Sequence, residues 1–297
     1  CLICKHRKLQ HHITRTNFTR VKSMHPSVDP DFASQLLMPA STADNKYTRG
    51  TVGFVTGSQK YPGAALLGIE AAFEFGIGMV RYLGPKVVSD LVLSNRPEVV
   101  LGLDRASVLV IGSGIAESEA GDQIQNIQTA LELKLPMVID AGALSLVDFK
   151  DVQSIAVLTP HAIEAAKLYS RLVEPISVEE LELDANAVAI KLAEVTGAVV
   201  MLKNNLSRIA MPGFEPVESG PGSTHLATAG TGDVLAGMVG ALGAKAVSLG
   251  YELTQGRFAE IAIIANQLHS EAAEIAAARG EFGATSVCRA ISEAVSA

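Results

Sequence analysis

The chain has 297 residues, of which 48% are apolar and 19% charged, and it contains no tryptophan. This length suits one large domain or two small ones, and such a domain buries roughly 70–75% of its unfolded surface without needing disulfides or metals. The net charge is −7, but residues 1–23 carry six basic side chains and no acidic one. The rest carries 18 basic and 31 acidic side chains, which argues against nucleic-acid binding as its main task.

Membrane and disulfide-rich classes are also disfavoured. The longest apolar stretch of the C-terminal half, residues 234–244, stops at Lys245 and is shorter than the ~20 residues that a membrane span needs. Three cysteines, Cys1, Cys4 and Cys288, are too few and too unevenly placed for a disulfide framework. We therefore expect no membrane partner and a reducing, cytoplasmic location.

The first 23 residues are predicted to be a disordered or spurious basic leader. No run of seven or more apolar residues follows the charges, as a secretory signal would require. An alternative is a zinc site built from the cysteines and a histidine pair, Cys1, Cys4, His11 and His12. The first methionine is Met24, and we expect residues 24–49 to form an N-terminal extension and residues 50–297 a single domain.

From residue 51 onward, short apolar runs alternate with segments of helical length. The predicted strands are 51–56, 79–83, 107–112, 136–140, 154–159 and 198–203. The predicted helices are 62–75, 119–133, 161–173, 177–195, 233–248, 251–277 and 284–295. Nearly continuous apolar strands separated by helical crossovers are typical of a parallel sheet with helices on both faces. The sequence therefore predicts a three-layer α/β/α domain.

The stretch ATAGTGDVLAG at 227–237 predicts an anion site beside a carboxylate. Gly230 and Gly232 allow positive φ angles and close approach of a ligand, and the helix that follows exposes free N–H groups. Asp233 lies in the first turn, where the helix dipole stabilises a carboxylate by ~0.3–1 kcal/mol. A helix with an acidic first turn and no ligand is the alternative interpretation. Neither a P-loop motif nor a Rossmann glycine motif occurs in the chain.

Three other stretches follow predicted strands, where ligands bind in open α/β sheets. TPHAIE places His161 at a helix start, GSQKYPGAALLG has Pro62 at the first helical position, and LKNNLS places Lys203 at the end of a buried strand. His161 and Lys203 can contact a phosphate or substrate, or can serve only local structure. The glycines and alanines after Pro62 also suit close packing of a helix on the sheet.

Taken together and in this order, these stretches resemble the ADP- or ATP-dependent NAD(P)H-hydrate dehydratases, which have a ribokinase-like fold. The resemblance covers about residues 50–297 and depends on TPHAIE, ATAGTGDVLAG and GSQKYPGA. It implies phosphoryl transfer from ADP or ATP, with Mg²⁺, to the ring hydroxyl of hydrated NADH or NADPH (NADHX or NADPHX). The phosphorylated hydroxyl then leaves, which restores the reduced dinucleotide.

The resemblance also implies roles for individual residues. Asp233 would be the base that deprotonates the hydroxyl, and it would contact the hydrated dinucleotide. The other dinucleotide contacts would be Ala64, Gly114 and His161. The nucleotide donor would be bound by Lys203, Asn204, Asn205, Leu206, Ser207 and Gly232. A metal ligand is not implied for any residue.

The chain departs from the family pattern in three loops. It has Gly-Ser-Gly-Ile-Ala at 112–116 where Gly-Pro-Gly-Leu-Gly is usual, so Ser113 and Ala116 differ. It has Asn204 in place of glycine, and Gly142 where a second aspartate is common. Two of these loops contact ligands in the family, so the departures bear on affinity and not on the base.

Partners follow from the resemblance in the same way. It implies a homo-oligomer, habitually a tetramer, and a separate NAD(P)H-hydrate epimerase, because residues 1–50 are too few for the epimerase domain that some members carry. Two alternatives remain open. One is a kinase of the same fold that phosphorylates a small-molecule hydroxyl, and the other is a nucleotide-binding protein that has lost catalysis.

Overall fold

The structure is a computed structural model that describes residues 24–116 and 121–296. The basic leader, its alternative zinc site and the start of the helix predicted at 119 lie outside the described residues. Nine described strands form one sheet. They are β1 (Thr51–Val55), β2 (Met79–Tyr82), β3 (Val100–Leu101), β4 (Val108–Ile111), β5 (Met137–Ile139), β6 (Ala156–Leu158), β7 (Val199–Leu202), β8 (Ser207–Ala210) and β9 (Val217–Ser219).

Helices connect and cover these strands. They are α1 (Pro30–Leu36), α2 (Pro62–Glu74), α3 (Lys86–Asn95), α4 (Gly121–Glu132), α5 (Ala143–Leu146), α6 (Ala162–Leu172), α7 (Val178–Leu183), α8 (Ala185–Thr196), α9 (Thr231–Ser248), α10 (Gln255–Ala278) and α11 (Ala284–Ser296). The sheet order is β3-β2-β1-β4-β5-β6-β7-β8-β9, and β1 to β7 run parallel. Strands β8 and β9 are antiparallel additions at one edge. The predicted mostly parallel α/β architecture is confirmed.

The core lies on both faces of the sheet because side chains alternate along each strand. In β4, Val108 and Val110 join the cluster under α9 and α10, whereas Leu109 and Ile111 join the cluster under α4 to α8. All four are buried. This two-sided burial explains why the strands read as continuous apolar runs in the sequence.

One predicted helix differs in the structure. The segment 177–195 is two helices, α7 and α8, and not one. Asp184 ends α7, and its Oδ1 accepts a hydrogen bond at 3.0 Å from the N–H of Ala187 in the first turn of α8. Aspartate is a preferred N-cap residue, and here it starts a new helix inside an uninterrupted helical pattern.

The segment before β1 is packed against the domain. Phe32 and Leu36 of α1 are buried in the cluster that also holds α9 and α10. Arg257 Nη1 of α10 lies 3.1 Å from Asp29 Oδ2 and therefore ties the start of α1 to this layer. Within the described residues, the structure contains no helix that is both apolar and long enough to cross a bilayer.

Candidate active site at the carboxyl edge of the sheet

A cavity of about 660 Å³ lies beyond the carboxyl ends of β5, β6 and β7, beside the N-terminus of α9. Parallel strands bring these ends to one edge of the sheet, so residues far apart in sequence meet there. Most of the predicted site residues line this cavity. They are His161, Lys203, Asn204, Asn205, Ser207, Gly232 and Asp233.

The N-terminus of α9 is built for close contact with a ligand. Its N-cap, Gly230, has φ +92°, a left-handed conformation that strains any residue with a side chain and therefore favours glycine. Glycine offers no side chain to accept hydrogen bonds from the first turn. The N–H groups of Gly232 and Asp233 therefore remain available to an anion at the positive end of the helix dipole.

Asp233 is the third residue of α9 and lies on the cavity wall. Its pKa is raised to about 7, mainly by burial and also by the negative charges of Asp140 and Glu164, although the Lys203 ammonium acts in the opposite direction. A carboxyl group with a pKa near neutrality exchanges protons readily at physiological pH. Asp233 therefore has the proton affinity expected of a general base.

Lys203 and Asp140 form a buried ion pair next to Asp233. Lys203 Nζ lies 2.9 Å from Asp140 Oδ1, and Asp140 also accepts hydrogen bonds from Ser113 Oγ at 2.9 Å and Thr159 Oγ1 at 2.7 Å. Burial lowers the pKa of Lys203, but Asp140, Glu164 and Asp233 outweigh this effect and raise it overall. The ammonium group is therefore held charged.

The lysine ammonium is also held over the first turn of α9. A Cβ placed on Gly232 would lie 3.3 Å from Lys203 Nζ. A Cβ at this position would push the ammonium away by a few tenths of an ångström, whereas glycine leaves it in place. The N–H groups of the helix and one fixed cation thus converge on the same point, which suits a phosphate oxygen.

His161 begins α6 as its N-cap. Its Nδ1 accepts from the N–H of Glu164 at 3.4 Å, and Glu164 Oε2 accepts from the N–H of His161 at 2.9 Å, which forms a capping box. The His161 side chain is 51% exposed, and its Nε2 lies 3.5 Å from Glu164 Oε1. The structure therefore gives His161 a local structural role together with a position on the cavity wall.

Comparison with known proteins identifies the family. The family profile described as NAD(P)H-hydrate dehydratase matches residues 52–295. The chain belongs to the NAD(P)H-hydrate dehydratase family. The match covers β1 to α11 and thus contains every residue that the motifs select.

Individual relatives agree with this assignment. The bifunctional NAD(P)H-hydrate repair enzyme of Mycobacterium tuberculosis H37Rv is 38% identical over 217 residues, which are 70% of this chain and 43% of that protein. The ADP-dependent (S)-NAD(P)H-hydrate dehydratase of Neisseria meningitidis serogroup B is 32% identical over 221 residues, 68% of this chain and 72% of that protein. This chain thus spans about half the length, or less, of the bifunctional relatives that it matches.

Solved structures are similar in fold. The ADP/ATP-dependent NAD(P)H-hydrate dehydratase of Bacillus subtilis, co-crystallised with ATP/Mg²⁺, has a TM-score of 0.72 at 24% identity, covering 93% of this chain and 95% of that one. Ribokinase of Thermotoga maritima has a TM-score of 0.51 at 14% identity, covering 82% of this chain and 98% of that one. The ribokinase-like fold is therefore confirmed.

Two of the predicted dinucleotide contacts, Ala64 and Gly114, lie outside the cavity wall. Ala64 and Gly114 are neighbours of each other, and a Cβ at Gly114, where φ is +68°, would lie 2.9 Å from Tyr61 O. They sit where the loop after β4 meets the start of α2, and neither lines the cavity that contains Asp233. Leu206 is likewise absent from the cavity wall. The structure thus groups all the predicted nucleotide contacts except Leu206 with Asp233, and it separates the predicted dinucleotide contacts Ala64 and Gly114 from them.

The loop between β7 and β8 is anchored to α10. Ser207 Oγ lies 3.3 Å from Asn266 Oδ1 and donates to Asn204 O at 3.1 Å. Asn205 O accepts a hydrogen bond of 2.7 Å from the N–H of Gly222. The loop is therefore fixed both by hydrogen bonds between Asn204 and Ser207 across it and by contacts to Asn266 and Gly222 outside it.

The structure adds site residues that the sequence motifs do not select. Asp140, Glu164, Asn266 and His269 line the cavity with Asp233. Asp140 is the last residue of the predicted strand 136–140, and this position at a strand end is the signal that could have selected it. His269 lies inside the apolar pattern of α10, and nothing in that pattern distinguishes it from a core residue.

Proposed function

We propose that this protein uses ADP to convert hydrated NADH or NADPH back to NADH or NADPH, with release of AMP and phosphate. The observation that carries the proposal is the position of Asp233, a carboxyl group with a pKa of about 7 at the phosphate-binding end of α9. Membership of the NAD(P)H-hydrate dehydratase family supports the choice of substrate. The Neisseria relative, named ADP-dependent, supports the choice of nucleotide.

In the proposed first step, Asp233 accepts the proton of the ring hydroxyl while the hydroxyl oxygen attacks the terminal phosphorus of ADP. The bond from that phosphorus to the bridging oxygen breaks, and AMP leaves with the electron pair. The N–H groups of Gly232 and Asp233, together with the ammonium of Lys203, stabilise the charge on the transferred group. Positioning and charge stabilisation are the main demands of phosphoryl transfer, and this site supplies both.

In the second step the carbon–oxygen bond of the phosphorylated ring breaks. Phosphate leaves with the electron pair, the neighbouring ring carbon gives its proton to water or to the departing phosphate, and the double bond of the reduced nicotinamide is restored. The same N–H groups and Lys203 stabilise the departing phosphate. Ala64, Gly114 and His161 remain our proposed dinucleotide contacts, and Lys203 to Ser207 our proposed nucleotide loop.

Magnesium fits this site only as an ion that arrives with the phosphates. Among the described residues, no group of three or more histidine, cysteine, aspartate or glutamate side chains is placed to hold a metal. Mg²⁺ commonly binds through substrate phosphates and waters with few protein ligands. None of the steps above is assigned to the ion.

We further propose that the protein works with an NAD(P)H-hydrate epimerase, because several relatives are named as bifunctional repair enzymes. A homotetramer remains a prediction. The test of the main proposal is to incubate the protein with hydrated NADH and either ADP or ATP. We expect the absorbance of NADH to return with equimolar free phosphate, whereas a stable phosphorylated product would favour a kinase.

A further inference from the structure

One residue of the cavity wall has a buried side-chain nitrogen without a hydrogen-bond partner. In residues 24–116 and 121–296, three buried side-chain atoms lack a hydrogen bond: Thr56 Oγ1, Arg81 Nε and His269 Nε2. Of the three residues, only His269 lines the cavity beside Asp233. Its side chain belongs to α10, is 3% exposed, and is assigned no role by the motifs.

The position of His269 places it on the nucleotide side of the cavity. Asn266 lies one turn earlier on the same face of α10, and it contacts Ser207 at the end of the predicted nucleotide loop. The His269 ring itself lies against the main chain of Thr231, the first residue of α9. His269 therefore lies between the nucleotide loop and the phosphate-binding helix end.

The chemistry of the free nitrogen follows from the charge state of the ring. Burial, together with the nearby Lys203 ammonium, lowers the pKa of His269 to about 3, so the ring is neutral at physiological pH. The contact with Thr231 favours the protonated ring, which means that the ring donates to the main-chain carbonyl. Because Nε2 is the unpartnered nitrogen, Nδ1 carries the hydrogen, and Nε2 presents a lone pair.

A lone pair can bind a hydroxyl or amino group but cannot bind a phosphate oxygen. We infer that His269 is a nucleotide-binding residue whose Nε2 accepts a hydrogen bond from a neutral donor of the nucleoside, either a ribose hydroxyl or the amino group of the base. This inference rests on the proposed function, because it assumes that the cavity takes a nucleotide. The bound nucleoside supplies the hydrogen-bond partner that Nε2 lacks within the protein.

The first test compares two substitutions by calorimetry with ADP. His269→Leu removes the acceptor, and His269→Gln keeps an amide oxygen near the position of Nε2. We expect the leucine variant to bind ADP roughly five- to tenfold more weakly than the parent and the glutamine variant to recover part of the loss. His225→Leu is the control, since His225 is exposed and lies outside the cavity wall, and its ADP affinity is expected to match the parent.

Nucleotide analogues identify the donor. The parent should lose a similar factor with one of 2′-deoxy-ADP, 3′-deoxy-ADP or inosine diphosphate, the analogue that lacks the bound group. The leucine variant should bind that analogue and ADP equally, because the interaction has already been removed. Equal ADP affinity of the leucine variant and the parent would overturn the inference. The inference would also be overturned if, for all three analogues, the affinity loss from the analogue simply added to the loss from His269→Leu. Such additivity would indicate that the substitution acts through side-chain packing and not through a hydrogen bond to the missing group.

A measurement on the unaltered protein covers the case in which the variants fail to fold. With ¹⁵N-labelled histidine, the Nε2 resonance of His269 should move on addition of ADP and stay fixed with inorganic phosphate or with hydrated NADH. Movement with the dinucleotide alone would overturn the assignment to the nucleotide. A parent protein that binds neither ADP nor ATP would refute the proposed function, and the inference with it. ADP binding without movement of this resonance would refute the inference alone.

Discussion

Replacing Asp233 with asparagine should increase stability and sharply reduce turnover at the same time. The two carboxyl oxygens become one oxygen and one amide nitrogen of similar size, so the cavity keeps its shape. The substitution removes a charge that burial and the neighbouring Asp140 and Glu164 carboxylates disfavour. It also removes the only group in the first turn of α9 that can accept the hydroxyl proton.

The size of the stability gain follows from the pKa. The Asp233 pKa is about 7 in the folded protein against 3.8 in the reference state, so the folded state binds the proton more tightly. Stability contributed by this group is therefore complete below pH 3.8, falls as the pH rises, and is lost above pH 7. At about 1.4 kcal/mol per pKa unit, the full penalty is at most roughly 4 kcal/mol. Loss of the favourable helix-dipole interaction, about 0.3–1 kcal/mol, offsets only part of the gain.

Urea unfolding at pH 5 and pH 8 measures the effect. The free energy of unfolding of the variant relative to the parent should increase by roughly 2–3 kcal/mol between these two pH values. Asp31→Asn is a matched control, because it removes an exposed carboxylate from the first turn of α1 and thus tests the dipole interaction alone.

The same variant tests the mechanism. Regeneration of NADH from hydrated NADH with ADP should fall by roughly 10²–10⁴, the range that general-base catalysis supplies. ADP binding should persist, because the N–H groups of α9 are unchanged. A variant with parental turnover would refute the assignment of the base. A stability difference that does not change with pH would refute the raised pKa.

Four further outcomes are expected. Lys203→Met should weaken ADP binding at least tenfold by calorimetry and lower the melting temperature, because Asp140 stays buried without its cation. Asp140→Asn should lower the pKa of Asp233 and move the rise of the pH–rate profile to lower pH, whereas an unmoved profile would contradict the coupling. His161→Ala should raise KM for the hydrated dinucleotide, because a hydrogen bond worth ~0.5–1.5 kcal/mol is lost. An unchanged KM would mean that His161 serves only as the N-cap of α6. A protein of residues 24–297 should keep the melting temperature and turnover of the full chain.

The sequence predicts well those strands that are covered by helices on both faces of the sheet. Each of the six predicted strands contains an observed strand that differs by at most two residues at either end, because continuous apolar runs mark strands covered on both faces. Strand β3 has only two residues, both exposed, and α1 is a seven-residue helix. Such short elements contain too few residues to show a hydrophobic periodicity. Their positions are set by packing against distant segments.

The site was predictable to the extent that its residues follow strands. Lys203 follows one, and the glycines around Asp233 mark a helix start, so the sequence places them at one edge. The hydroxyl donors to Asp140 could not be inferred, because Ser113 and Thr159 meet it only through the order of β4, β5 and β6 in the sheet. The buried His269 gives no signal, since a histidine on an apolar helix face reads as core.

The distance between Asp233 and the proposed dinucleotide contact Ala64 is set where helices α2 and α9 cross. Helix α2, which begins beside Ala64, crosses α9, which begins beside Asp233, at Gly68 and Gly237. A Cβ added to Gly237 would lie 2.8 Å from Gly68 Cα, so the two backbones touch. Each glycine lies six residues from its helix start, roughly 9 Å along the axis. One methyl group at this crossing would force the helices apart and so change the distance between the proposed nucleotide and dinucleotide positions, although it lies about 9 Å from either helix start.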